Sequence, residues 1–150
     1  MVSTLSAAAL TVTGVMVGIE FCVAVVVPRI HRRLPLGEFL DVQADSARLM
    51  GRMMPFWYFA SLILTSGLAA ASWGTVSAGL SLTAGALLAL SVIMSVTLLV
   101  PINNRSAGWT CEEHPADWRE QLNRWNSLHI VRLAVIVAAF VFAALATSLL

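Results

Sequence analysis

The chain has 150 residues, 59% of them hydrophobic and 11% charged, with a formal net charge of +1 and a mean hydropathy of +0.84. Soluble domains of this size carry about a quarter charged residues, so water cannot be the only solvent, and no basic surface for nucleic acid exists. All nine basic residues are arginine, which reads as genome composition rather than a need for guanidinium groups. Cys22 lies in an apolar run and Cys111 in a polar one, so the two do not form a disulfide framework. The first apolar stretch lacks the basic start and short core of a cleaved signal and is long enough to stay in a membrane.

A hydrocarbon core about 30 Å thick takes about 20 helical residues. Four windows supply that length, at about 6–27, 55–73, 80–100 and 129–150. The only charged or imidazole side chains in them are Glu20, His129 and Arg132. Unpaired backbone groups in lipid cost several kcal/mol each, and no alternation suggests barrel strands. The expectation is an all-α, four-transmembrane-helix bundle forming one integral membrane domain over residues 1–150.

The connections set its orientation. Residues 28–54 carry Arg29, Arg32, Arg33, Arg48 and Arg52, and residues 101–128 carry Arg105, Arg119 and Arg124, whereas 74–79 is short and uncharged. The positive-inside rule then places both arginine-bearing loops in the cytoplasm and both termini outside, and the expected location is a plasma membrane, that of a bacterium. Within the first loop, Glu38, Asp41, Asp45, Arg48 and Arg52 recur at steps of three and four, with Asp45 set to pair with Arg48. Phe39, Leu40, Ala47 and Met50 take the other side, which predicts an amphipathic interfacial helix in this loop. Pro101 is expected to end or bend the third span. Pro115 suits the first turn of a helix, with Asp117 and Glu120 near its positive end, running unbroken into the fourth span.

Glu20 is the most informative residue. It lies about 12 Å from the arginine-rich exit of the first span by helical rise, too deep to snorkel, so it should face protein or a water-filled cavity. An intramembrane carboxylate marks function by default, and otherwise serves as a polar tie between helices. Gly14 and Gly18 beside it have the spacing of close helix packing. His129 and Arg132 share a helical face with Trp125, Leu122 and Trp118. An interfacial belt accounts well for Trp118, and less well for His129, for which function and anchoring weigh about equally. Asn103 and Asn104 either turn the chain or offer amides to a pocket. Glu20, Asn103, His129 and Arg132 thus all fall in the cytoplasmic half, leaving the outer half as plain apolar packing. A metal held by Glu20 and His129, with Cys22 or His114, can be assembled only without any recognisable ligand spacing. Nucleotide-binding glycine loops are also missing.

At these residues the chain resembles the anthrone oxygenase family of small four-span membrane proteins, found in bacteria and fungi. The resemblance rests on Gly18 to Glu20, Pro28, Val100-Pro101-Ile102-Asn103-Asn104, Pro115-Ala116-Asp117-Trp118-Arg119, Trp125, Leu128-His129 and Arg132. It implies an oxidoreductase that converts a flat, apolar anthrone-like polyketide to a quinone with dioxygen as co-substrate. In that chemistry a base, His129 or a desolvated Glu20, removes the acidic methylene proton, and Arg132 or Asn103 stabilises the oxyanion. The carbanion then reduces dioxygen directly, so no cofactor is expected; the metal on Glu20 and His129 is the alternative. Asn104, Trp125, Trp57 and Tyr58 are the substrate-binding candidates, Trp57 and Tyr58 together with Phe56 also reading as an interfacial aromatic belt. Besides the bilayer, the expected partner is an apolar small molecule.

Two other classes fit four spans. A proton-coupled small multidrug transporter has a glutamate in its first helix but usually short loops, and would pump a cationic dye in a Glu20-dependent way. A non-catalytic membrane partner would use the polar cluster for assembly alone.

Overall fold

The computed structural model describes residues 2–150, and among them there are only helices and their connections, the longest being the irregular segment 107–117. The elements are α1 (Val2–Val25), α2 (Val27–His31), α3 (Leu36–Ala71), α4 (Val76–Met94), a π-helical turn (Ser95–Leu99), α5 (Val100–Ser106) and α6 (Trp118–Ser148). Four continuous helical stretches are long and apolar enough to cross a membrane: Val2–His31, Leu36–Ala71, Val76–Ser106 and Trp118–Ser148. The protein is an integral membrane protein. α1 packs on α3 and α6, and α4 packs on the same two, which closes a four-helix ring. Large side chains such as Phe21, Phe56, Phe59, Ile63 and Ile93 point outward, as they do where the solvent is lipid.

The inward stripe of α1 is Ser6, Ala9, Thr13, Met16 and Glu20, at steps of three and four that keep one helical face. Glu20 therefore ends an inward-facing row rather than standing out of it. α6 supplies His129, Arg132, Leu133, Ile136, Ala139, Ala143 and Ala146 by the same spacing. The half of the bundle away from the arginines is not plain apolar packing. It buries Thr13, Ser61, Thr65, Ser77 and Ser81 among alanines. Ser77 Oγ donates to the Ala146 carbonyl at 2.8 Å, tying α4 to α6. Small hydroxyl residues let helix backbones approach closely where lipid gives no hydrophobic drive to association. Of the two glycines read for packing, Gly14 does sit against Phe140, its missing Cβ 3.4 Å from the ring, but Gly18 has nothing within 4 Å.

Several boundaries differ from the sequence expectation for physical reasons. The amphipathic stretch forms, with Leu40, Ala44 and Ala47 buried and Arg48 paired to Asp45 at 2.6 Å, but it is continuous with the second span in one 36-residue helix. Pro55 lies inside that helix; it withholds an N–H from the Gly51 carbonyl, and proline is tolerated in membrane helices where neighbours secure the local backbone. One turn before that carbonyl, Asn103 donates Nδ2 to the Ala47 carbonyl at 3.0 Å and ties α5 to α3. Pro101 does not end the third span either. It stands in the first turn of α5, directly after the π turn, and the helical path continues to Ser106. Pro115 precedes α6 by a turn, its carbonyl accepting from Trp118 N at 3.2 Å. Gly79 lies within α4, and the link is only residues 72–75. There Gly74 takes φ +84°, and Thr75 caps α4 by accepting from Ala78 N. α6 does run unbroken for 31 residues.

Candidate active site: a buried ion pair on the wall of an intramembrane cavity

Four side chains from three helices meet toward the arginine-bearing end of the bundle. Glu20 is 3% exposed, Tyr58 5%, His129 1% and Arg132 8%. Arg132 Nη2 donates to Glu20 Oε2 at 2.6 Å, and Tyr58 Oη donates to Glu20 Oε1 at 2.8 Å. The carboxylate is thus held on both oxygens, by a cation and by a neutral donor. Isolated buried charges are costly, and pairing with satisfied hydrogen bonds is what makes this one tolerable.

The same arginine fixes the histidine. Arg132 Nη2 lies 2.9 Å from His129 Nδ1, and a guanidinium has only donors. Nδ1 must therefore accept, and the ring proton sits on Nε2. That Nε2–H points to the Glu20 backbone carbonyl at 3.2 Å, with Glu20 Oε2 at 3.3 Å. Trp125 stacks face to face on the imidazole, centroids 4.7 Å apart and planes 9° from parallel. His129 is therefore a neutral ring with both nitrogens engaged.

The π-helical turn delivers the last partner. Arg132 Nη1 donates to Ser95 Oγ at 2.8 Å, and Ser95 Oγ in turn donates to the Ser91 carbonyl at 2.7 Å. Ser95 opens the π segment, closed by the Val100 N–H to Ser95 carbonyl bond. A π turn inserts one residue into a helix and re-aims the side chains around it, a distortion frequent at functional sites. Arg132 Nε is buried and has no partner. The guanidinium also lies over the Tyr58 ring, 5.5 Å from its centroid.

These residues form part of the wall of a cavity of about 660 Å³. That is within the usual range for small-molecule sites, which are mostly apolar with a few placed polar groups. Apolar lining comes from residues such as Val23, Met50, Met54 and Val96. Of the residues singled out in the sequence, Glu20, His129 and Arg132 are brought into one hydrogen-bonded cluster. Tyr58 joins it as a direct partner of Glu20, and Trp125 backs it. Asn103 lines the same cavity but bonds to Ala47 rather than to the cluster. Asn104 is exposed and Trp57 packs beside the apolar core, and neither lines the cavity. Each is one position, about 100° of helical rotation, from a neighbour that does. Ser95 was not anticipated. Its only sequence signal is a serine six residues before a proline in an otherwise apolar span, too weak to select it.

Among the described residues no group of three His, Cys, Asp or Glu side chains is arranged to hold a metal ion. Glu20 and His129 do face each other, but the ring nitrogens and both carboxylate oxygens are already committed to Arg132, Tyr58 and the backbone. Cys22 and Cys111 are free and exposed.

A polytopic helical membrane protein with a neutralised carboxylate set into an apolar cavity is the class that fold and site define. Residues 46–142 match the anthrone oxygenase family; the chain belongs to that family, whose role is oxygenase-like tailoring of polyketides. No curated protein and no solved structure matches it.

Proposed function

We propose that this protein oxidises a flat, apolar, anthrone-like polyketide to the corresponding quinone with dioxygen, inside the membrane. The observation that carries the reading is the Glu20–Arg132 pair on the wall of an apolar cavity.

The pair suits proton abstraction through conservation of buried charge. At rest the site holds one anion, Glu20, and one cation, Arg132. When Glu20 takes the methylene proton, the negative charge moves to the substrate's enolate oxygen while the arginine stays between the two. One buried pair replaces another, so little solvation is lost in the transition state. The Arg132 Nη2 group and the Tyr58 hydroxyl, whose hold on Glu20 weakens once it is protonated, are the donors for that oxygen. Using His129 as the base would instead place an imidazolium 2.9 Å from Arg132, raising the number of buried charges. Geometry therefore favours Glu20 as base and His129 as the residue that holds Arg132 and Glu20 in register.

The remaining steps balance without a further reactant. The carbanion adds dioxygen to give a peroxide anion, which recovers the proton from Glu20. Loss of water across the C–H and O–O bonds then leaves a carbonyl where the methylene was. In sum, one methylene and one dioxygen give one carbonyl and one water. No resident cofactor enters this route, and Asn103, deeper toward the loops, is the group that would orient the far ring. We put the arginine-bearing end on the cytoplasmic side, following the distribution of arginines, and the protein in a bacterial plasma membrane.

Purified protein incubated with an anthrone under air should form quinone faster than buffer or detergent alone, and Glu20→Gln should reduce the rate to that background. If wild type and Glu20→Gln form quinone equally fast, the proposal fails. Dye uptake by vesicles that depends on Glu20 would instead identify a transporter, a role for which a carboxylate locked to an arginine is poorly suited.

A further inference from the structure

The cavity does not end at the ion pair. Along α6 its lining runs from Trp118 and Arg119 through Leu122, Trp125 and His129 to Arg132, about 20 Å by helical rise. This is well beyond the length of three fused aromatic rings. The end near Arg132 is the reaction site described above, and the middle is apolar and aromatic. The far end is different in kind. Besides Arg132, the cavity's arginines are Arg32 and Arg119, both at this end, and its only carboxylate is Glu20 at the other. Arg32 and Arg119 are in none of the ion pairs found among the described residues. Arg119 is held over the Trp118 ring, 4.9 Å from its centroid, and Trp118 in turn packs on Phe39, which meets His31 edge-on. The mouth therefore carries two exposed guanidiniums outside these ion pairs, Arg119 set against the aromatic frame of Trp118, Phe39 and His31, and Arg32 following His31 in the chain.

From this lining we infer that the cavity takes an elongated amphiphile: a flat aromatic body with an anionic group, a carboxylate above all, at the end remote from the reacting carbon. Arg32 and Arg119 are the residues that select it. A neutral tricyclic ring system fills the inner part and leaves the arginines without a counter-charge. One whose acid is carried beyond the ring system, on a further ring or a short chain, reaches both ends at once, and the two cations fix which ring lies against Glu20 and Arg132. The inference rests on the cavity being the substrate site, but binding alone tests it, without turnover.

The probes are an anthraquinone carrying a 5-carboxypentyl chain at C2 and its methyl ester, titrated against the tryptophan fluorescence of the protein in a neutral detergent and in phosphatidylcholine nanodiscs. The carboxylate should bind about five- to tenfold more tightly than the methyl ester in wild type, the weight of two partly solvated charge contacts. In Arg32→Gln/Arg119→Gln the two affinities should converge, with that of the methyl ester unchanged, and added salt should act in the same direction. Equal affinities in wild type, or a preference that survives in the double variant, would overturn the inference. So would a preference abolished by adding phosphatidylglycerol to the nanodiscs, since the arginines would then be serving lipid phosphate. A preference that holds while no anthrone is oxidised would leave this subsite standing and remove the proposed reaction.

Discussion

Removing one member of the Glu20–Arg132 pair should damage the fold far more than removing both. Arg132→Met leaves the Glu20 carboxylate, 3% exposed, with Tyr58 as its only strong side-chain donor. It also strips Ser95 Oγ and His129 Nδ1 of the hydrogen bonds they accept. Breaking a buried pair from one side typically costs about 3–5 kcal/mol, because a desolvated charge is left uncompensated. Glu20→Gln leaves the guanidinium with Ser95 and His129 and should cost about 2–3 kcal/mol, the lower end for a charge that keeps some partners. Glu20→Gln/Arg132→Met removes both charges and should be less destabilised than Arg132→Met alone, with a coupling of about 2–4 kcal/mol. Reversible unfolding of the four proteins in a fixed detergent mixture, followed by tryptophan fluorescence, gives the cycle directly. Additive effects, with coupling below about 0.5 kcal/mol, would mean that the two side chains do not share charge in the bilayer, and the charge-conserving mechanism would lose its basis.

Other substitutions probe the surrounding parts. Tyr58→Phe removes one hydrogen bond to Glu20 and should cost about 1–2 kcal/mol by the same unfolding assay, and slow quinone formation without abolishing it. Ser95→Ala should cost about 1 kcal/mol and raise KM or lower kcat by loosening Arg132, whereas Thr97→Ala on the same turn, exposed and bonded only to the Ile93 carbonyl, should change neither. Asp45→Asn breaks a pair exposed on both sides and should shift stability by less than about 0.5 kcal/mol. Maleimide labelling from the cytoplasmic side of spheroplast-derived inverted vesicles should modify Cys111; labelling from the opposite face instead would reverse the orientation.

How much of this was legible in the sequence depended on whether one residue or a relation between helices was being read. Glu20, His129 and Arg132 were visible singly, because a charge within 20 apolar residues has few tolerable explanations. Their common depth followed from counting residues to the arginine-rich ends. That Glu20 ends the row Ser6–Ala9–Thr13–Met16, and so points inward, was also within reach of helical spacing. Tyr58 was harder, since an aromatic near a span's end reads equally as a membrane anchor, and only the packing of α3 on α1 brings its hydroxyl to Glu20. Trp57 and Asn104 show the cost of grouping neighbours, as adjacent residues on a helix face about 100° apart. The π turn was invisible, for no residue type encodes it. The fusion of the amphipathic stretch with the second span is hidden because a proline at the head of an apolar run reads as a helix boundary. The helix runs through Pro55, and α5 is tied to it through Asn103, which bonds the Ala47 carbonyl from 56 positions further along the chain.

The proposed role of Glu20 is tested most directly by proton abstraction in the absence of oxygen. An anthrone deuterated at its methylene, held anaerobically with the protein in ordinary water, should lose deuterium faster than in buffer with detergent. In Glu20→Gln the protein-dependent exchange should fall by about 10²–10⁴-fold, the usual weight of a positioned general base, while an anthraquinone still binds. Exchange that continues undiminished in a folded Glu20→Gln protein would contradict the assignment of Glu20 as the base and with it the charge exchange across Arg132.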